Sequence, residues 1–191
     1  YSNRGFTFQA LNQVEAALPS FDLAVTIKPD YADAYWNKSL ALLLSGNFTQ
    51  GWALYEWRYK KETFTSPKRN FTKPLWLGTE NIQGKTLLLH AEQGLGDTIQ
   101  FCRYTKLVKK LGARVLLEVP EALLGLLSKL EGVDVLLEAG KPLPAFDYHS
   151  PLLSLPLAFN TELDSIPSPT AYLACAHHKY ENWSKRLGTK V

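Results

Sequence analysis

Thr86 to Tyr104, TLLLHAEQGLGDTIQFCRY, is the stretch whose reading decides the fold. Thr86 to His90 is a short apolar run opened by a β-branched residue, the pattern of a buried strand. Gln93-Gly94-Leu95-Gly96 reads as a turn, because glycine takes backbone angles that other residues avoid. Asp97 stands where a helix N-cap belongs, and Ile99, Phe101 and Cys102 follow as apolar helical positions. A strand that feeds a helix through glycines places backbone N–H groups at the carboxyl edge of a sheet. That edge is where open α/β folds bind ligands.

Downstream, the same alternation continues. The spacing predicts an amphipathic helix over 97–110, with Ile99, Phe101, Cys102, Leu107, Val108 and Leu111 on its apolar side and Lys106, Lys109 and Lys110 in solvent. Gly112 is a natural stop. RVLLEV at 114–119 is a second strand, and Pro120 suits the start of the helix EALLGLLSKL. Gly132 ends that helix, and 133–137 is a third strand. A fourth strand is expected at 146–149, a helix over about 150–158 and a further strand at 172–174. A helix over 177–187 follows, and Lys190 and Val191 open another strand. Strands and helices in alternation give a parallel sheet with helices on both faces.

Upstream, the chain repeats itself. Tyr1, Gly5, Ala17, Phe21, Ala24 and Pro29 have the spacing of a helix-turn-helix repeat. Moving 34 residues along gives Tyr35, Ser39, Gly51, Tyr55 and Arg58, where Arg58 replaces the small residue expected. Small residues let two helices approach closely, and aromatics fill the space between them. Pro29 ends the second helix of the first unit, and Asp30 leads into the next. The aromatic run GWALYEWRY, with Trp52, Trp57 and Tyr59, has two readings: a peptide-binding groove, or a contact with the following domain. The domains read as repeats over 1–65, a connector over 66–85 and an α/β lobe over 86–191. The connector holds two prolines and two glycines up to Gly84, so it should run extended, with Trp76 as its anchor.

Composition bounds the function. Hydrophobic residues make up 46% and charged residues 20% of 191, so a packed core is expected. No segment approaches the ~20 apolar residues of a membrane helix, so no membrane span is expected. The net charge of +3 comes from the connector, where Lys68, Arg69, Lys73 and Lys85 face Glu80 alone. An excess confined to a linker gives no basis for a nucleic-acid partner. Cys102 and Cys175 are too few for a disulfide framework, which fits a reduced cytoplasm, and both read as small buried apolar residues. The chain contains no Met and opens inside a helical pattern, as a piece of a longer protein would.

Three readings compete for the central turn. Gly94-Leu95-Gly96 begins a dinucleotide-binding pattern, with Glu118 ending the second strand where a ribose-binding acid belongs. Against it, Ile99 stands at the third glycine position, and the Asp97 carboxylate occupies the proposed phosphate site. In the second reading Asp97 is a general base that accepts the proton of a hydroxyl attacking a sugar's anomeric carbon. In the third it caps its helix. Cap and base are compatible. His90 and His149 fall at the carboxyl ends of strands, as functional or as packed histidines. His177 and His178 diverge on a helix and read as surface residues, so no metal cluster is expected.

EQGLGDTIQFCRY, with GWALYEWRY and PLWLG upstream and SPLLSLPLAF downstream, resembles a family of bacterial proteins in which tetratricopeptide repeats precede a glycosyltransferase-like region. The GLGD-plus-helix element is similar to that of the heptosyltransferases, which have the two-lobed GT-B fold. The resemblance implies an α plus α/β protein: tetratricopeptide hairpins, then a Rossmann-like lobe that is the N-terminal half of a GT-B fold. It implies Asp97 as catalytic base and Gly94, Leu95 and Gly96 shaping the acceptor side of the cleft, with Gln93 and Arg103 as neighbours. It implies no cofactor and no metal. The donor would be a nucleotide sugar bound mainly by a lobe this chain lacks, which would leave the isolated chain inactive. The partners implied are a protein or peptide on the repeats and a glycan or protein acceptor. The alternative is a non-catalytic scaffold whose repeats bind protein.

Overall fold

The computed structural model describes residues 1–67, 69–168, 171–175 and 177–188. The protein combines helices with a parallel sheet, and it divides into two compact units, neither continuous in sequence. The first takes in Tyr1–Thr72, Trp76–Glu80 and Leu153–Ile166; the second takes in Lys73–Leu75, Asn81–Leu152 and Pro167–Val191.

The first unit starts with α1 (Ser2–Ala10), α2 (Val14–Ile27), α3 (Ala32–Leu44) and α4 (Phe48–Tyr55), and α4 runs on as a 3-10 turn over Glu56–Lys60. Successive helices pack on one another. The small residues of the repeated pattern are what let them do so. A methyl group at Gly5 would lie 2.6 Å from the Phe21 ring, and one at Gly51 would lie 2.6 Å from the Leu43 side chain. Val14, Ala17, Phe21 and Ala41 form the core here, with Phe8 and Leu18 against it. Pro29 lies beyond the last turn of α2, as expected, whereas the residue before α3 is Tyr31 and not Asp30.

Arg58, the residue that departs from the repeat, is fully buried. Its Nη1 donates to Glu56 Oε1 at 2.6 Å and to the Tyr55 carbonyl at 3.2 Å. Its Nη2 donates to the Tyr59 hydroxyl at 2.9 Å and to Ser154 Oγ at 2.8 Å. Ser154 Oγ in turn donates to Glu56 Oε1 at 2.8 Å, which closes the network. The guanidinium also lies over the rings of Tyr55 and Tyr59, 4.8 and 4.2 Å from their centroids. Rings of the aromatic run also meet one another and α3 within this unit. Trp57 stacks on Tyr35 at 3.8 Å, and Trp52 meets Tyr55 edge-on at 5.6 Å.

Trp76 anchors the connector as expected. It is 1% exposed, its indole donates to the Glu80 carbonyl at 3.0 Å, and it packs edge-on against Phe159. Gly78 makes the approach possible. Its φ of +97° suits glycine, and a Cβ there would fall 2.1 Å from the carbonyl oxygen of Ala158, at the end of α8 (Leu155–Ala158).

The second unit holds β1 (Thr86–His90), β2 (Arg114–Val119), β3 (Val135–Glu138) and β4 (Tyr148–Pro151), all parallel, in the order β3-β2-β1-β4. Leu87–Leu89 and Val115–Leu117 are wholly buried, as strands covered on both faces must be. The third and fourth strands each sit about two residues later than their apolar runs suggest. No strand forms at 172–174. There the Tyr172 hydroxyl donates to the Ile99 carbonyl at 3.1 Å, so the segment is held by a helix and not by the sheet. Lys190 and Val191 lie outside the described residues.

The helix expected over 97–110 is broken into α5 (Leu95–Phe101), a 3-10 turn over Cys102–Tyr104 and α6 (Thr105–Lys110). The Thr105 hydroxyl lies within hydrogen-bonding distance of both the Cys102 and the Glu131 carbonyls. Gly132, with φ +88°, packs so close that a Cβ would lie 2.6 Å from the Lys106 nitrogen. The turn before β3 is therefore pressed onto the break. α7 (Glu121–Leu127) ends before that turn. The 3-10 turn Leu152–Ser154 and the short α8 replace a single helix over 150–158.

Two outcomes follow from these contacts. Arg58→Ala removes a buried charge and leaves Glu56 and Ser154 without their partner, so stability in urea should fall by about 3–5 kcal/mol. Asp134 accepts from Val115 N and from Lys109 at 2.7 Å. Partial desolvation raises its carboxyl pKa, but the Lys109 hydrogen bond, the Val115 N–H and the charges of Lys109 and Arg114 outweigh it, so the net shift is downward. A depressed carboxyl stabilises the fold above the ordinary carboxylate range and loses that effect as pH falls through it. Asp134→Asn should therefore lower Tm by about 2–4 °C at pH 7, and the difference from wild type should shrink at about pH 3.

Candidate functional site

The site expected from sequence lies at the carboxyl end of β1, in the second unit. The strand order places β1 between β2 and β4, so the sheet reverses direction of growth at the β1–β4 boundary. In open α/β sheets that is the crevice where ligands sit.

The turn is built differently from its sequence pattern. Gln93 is the residue with a left-handed backbone, at φ +59°, whereas Gly94 is extended at φ −95°. Gly94 is the helix N-cap, and Asp97 is the third residue of α5, not the cap. The Asp97 carboxylate reaches back to accept the Gly94 N–H at 2.9 Å. This is the acidic half of a capping box; glycine has no side chain to supply the other half. A Cβ on Gly94 would come within 3.1 Å of that carboxylate. At Gly96 no atom beyond its chain neighbours and its own helix backbone lies within 4 Å of where a Cβ would be, and the residue is exposed. Neither glycine has a left-handed backbone; Gly94 lies close under the Asp97 carboxylate, and Gly96 faces open space.

The dinucleotide reading loses ground here. The N–H that would face a pyrophosphate is already occupied by the protein's own carboxylate. Glu118 is buried at the end of β2, opposite His90 in register.

Of the residues predicted from sequence, Gln93, Gly94, Leu95, Gly96 and Asp97 lie together in this turn. Leu95 is exposed. Arg103 lies further along, past the end of α5. Its Nε donates to the Gln100 carbonyl at 2.8 Å, Nη1 to the Pro167 carbonyl at 3.1 Å and Nη2 to the Tyr172 hydroxyl at 3.2 Å. The guanidinium stacks over the Tyr172 ring at 4.8 Å. Arg103 thus ties residues 167 and 172 to α5.

The structure adds a pair that the sequence did not join. His90 Nε2 lies 3.3 Å from His149 Nδ1, and the rings are tilted by 35°. His90 is buried and His149 half-buried. Leu88 pairs with His149 and His90 with Glu118, so the two histidines and Glu118 share one face of the sheet. Glu92, just past β1, is buried as well.

Cys102 is buried as expected; it donates to the Ile99 carbonyl, and desolvation pushes its thiol up to about 12. Cys175, expected to be buried, is exposed. His177 is exposed on α9 (His177–Leu187), and the side chain of His178 lies outside the described residues. Among the described residues, no group of three or more His, Cys, Asp or Glu could hold a metal, and no helix is long and apolar enough to cross a membrane.

No protein-family model matches the chain. A relative is found in Caulobacter vibrioides. Its Protein FlbA is 32% identical over 104 residues, which cover 53% of this chain and 17% of FlbA. The aligned part is thus a small fraction of that protein's length.

The hydrogen bond from Gly94 N–H to Asp97 can be tested directly. Asp97→Ala removes the acceptor for Gly94 N–H and should cost about 1 kcal/mol, or about 2–4 °C in Tm. Asp97→Asn keeps a side-chain acceptor and should cost a few tenths of that, measured by thermal denaturation.

Proposed function

We propose that the chain is the acceptor-side part of a GT-B-like sugar transferase of bacterial, cytoplasmic type, preceded by tetratricopeptide-like helical pairs that bind protein. The observation that supports this best is the Gly94–Asp97 turn. It stands at the carboxyl end of β1, beside the point where the β3-β2-β1-β4 sheet changes direction. The open space at Gly96 suits a sugar or backbone acceptor that must come close. A nucleotide sugar is the donor, bound mainly by a lobe outside this chain. Catalysis then consists of holding an acceptor hydroxyl in line with the anomeric carbon and taking its proton. The family resemblance implies Asp97 for the proton, with Gln93, Leu95 and Arg103 as neighbours of the acceptor.

The helical unit supports a second reading, a scaffold without chemistry. Trp57 stacks on Tyr35, with Lys60 Nζ 3.7 Å from the Trp57 centroid; Lys61 lies over Trp36. These rings are half-buried, and such a surface suits protein recognition.

The test is turnover of UDP-, GDP-, CMP- and ADP-linked sugars by the full-length protein, read as nucleotide release. Turnover of one donor is the expected result. No turnover with any donor would move the protein to the scaffold reading.

A further inference from the structure

Helix α9 carries large side chains that the rest of the chain leaves uncovered. Tyr180 is 64% exposed, Trp183 56% and Leu187 68%. An α-helix turns about 100° per residue, so positions i, i+3 and i+7 fall within an arc of about 60°. The three therefore make one apolar stripe along the helix. Lys179 and Arg186 border that stripe on the Trp183 side, about 40–60° further round. The Arg186 guanidinium stays with it, 5.5 Å from the Trp183 ring centroid. Glu181 and Lys185 fall toward the opposite face, and His177 Nε2 lies 3.0 Å from Glu181 Oε1. The helix thus has three Lys or Arg residues and one acid, and the acid is not beside the stripe. Among the described residues, no hydrogen bond or ion pair joins an α9 side chain to another element. Lys179 Nζ lies 4.0 Å from where a Cβ on Gly125 of α7 would be.

Such a stripe needs an occupant that takes aromatic rings and cations side by side. A neutral apolar partner would leave Lys179 and Arg186 without counter-charge at its rim. An anionic lipid surface meets both demands. Trp and Tyr rings sit at the boundary between headgroups and acyl chains. Lys and Arg beside them reach lipid phosphates through their aliphatic stems. A polar opposite face, here Glu181, Asn182 and Lys185, keeps a helix in the plane of the surface. We infer that α9 is a surface anchor. It lies on an anionic bilayer with Tyr180, Trp183 and Leu187 in the headgroup boundary and Lys179 and Arg186 on phosphates. This goes beyond the sugar-transfer reading and does not depend on it. The anchor does not span: its 11 residues reach about 16 Å, about half the hydrocarbon thickness. Tyr172 is held to α5 by its bonds with Arg103 and the Ile99 carbonyl. The chain from Tyr172 to His177 spans at most about 18 Å, so a docked α9 keeps α5 near the surface.

Vesicle co-sedimentation of the full-length protein tests this, with phosphatidylglycerol and phosphatidylcholine in equal parts against phosphatidylcholine alone. The protein should pellet with the anionic vesicles only, and should be released in about 1 M salt, where charges are screened within about 3 Å. Trp183→Ser should weaken binding about ten- to a hundredfold. Changing Lys179→Gln and Arg186→Gln together should weaken it about thirtyfold. These side chains are exposed, so the variants should keep the wild-type Tm. Trp183→Phe should keep binding but lose the blue shift of tryptophan emission that anionic vesicles cause in the wild type. No pelleting with anionic vesicles, equal pelleting with both kinds, or unchanged pelleting in Trp183→Ser would each overturn the anchor. A Trp183-dependent dimer in sedimentation velocity would also overturn it and give the stripe to a second copy. Trp183 shielded from acrylamide in the lipid-free protein would overturn it too, and give the stripe to another part of the same protein.

Discussion

The parallel pairing of β1 with β4 is the constraint on which the candidate site depends. Thr86 and Asp147, at the start of the two strands, fasten it twice. The Asp147 N–H donates to the Thr86 carbonyl, and the Thr86 N–H donates to Asp147 Oδ2, both at 2.8 Å. That exchange fixes the register, so Leu88 falls opposite His149 and His90 opposite Pro151. A slip of one residue would turn His149 to the other face and part it from His90. The contact between His90 and His149 is thus set at the start of the same strands, by the threonine–aspartate exchange.

In the helical unit the comparable constraint is a buried charge. A guanidinium taken out of water is costly unless its donors are met. Arg58 has a carboxylate, a carbonyl and two hydroxyls as acceptors, and its guanidinium lies over two aromatic rings. Hydrophobic residues of equal volume could fill the same space. What they could not do is specify Ser154, which lies 96 residues away in sequence and is held by Arg58 and Glu56 through its hydroxyl. A directional network selects one partner where oily packing accepts many.

Strands that are buried on both faces announce themselves as apolar runs, so β1 and β2 could be read directly from the sequence. β3 ends in Glu138 and β4 carries His149 and Ser150, so their limits are less plain in the sequence and lie about two residues later than expected. The break in the helix after Phe101 had no local signal. It depends on Thr105 meeting the Glu131 carbonyl and on Gly132 pressing against the backbone at Lys106, contacts between positions some 25 residues apart. Tyr172 was misread for a related reason, because an aromatic in a short apolar segment has the look of a strand until its hydroxyl is seen on Ile99. GWALYEWRY was legible as aromatic packing, but Arg58 at its centre was not, since a charged residue in a sequence gives no sign of being buried. His90 ends β1 as expected, whereas His149 is the second residue of β4, opposite Leu88, and not at its carboxyl end; their contact depends on the strand order, which a sequence does not state.

The turn itself shows how a cap and a catalytic residue can be confused. Asp97 stands at the third position of α5, where a carboxylate both answers the N-cap N–H and interacts favourably with the helix dipole. Either effect is reason enough for an acid here, with no ligand required. Gly96 is harder to explain that way. Glycine in the first turn of a helix is unfavourable by up to about 1 kcal/mol against alanine, and nothing in the chain crowds the position, so packing does not demand it. A residue that weakens its helix and meets no neighbour is best accounted for by something outside the chain that must approach the backbone. We propose that an acceptor approaches over Gly96, with Asp97 holding the turn beneath it.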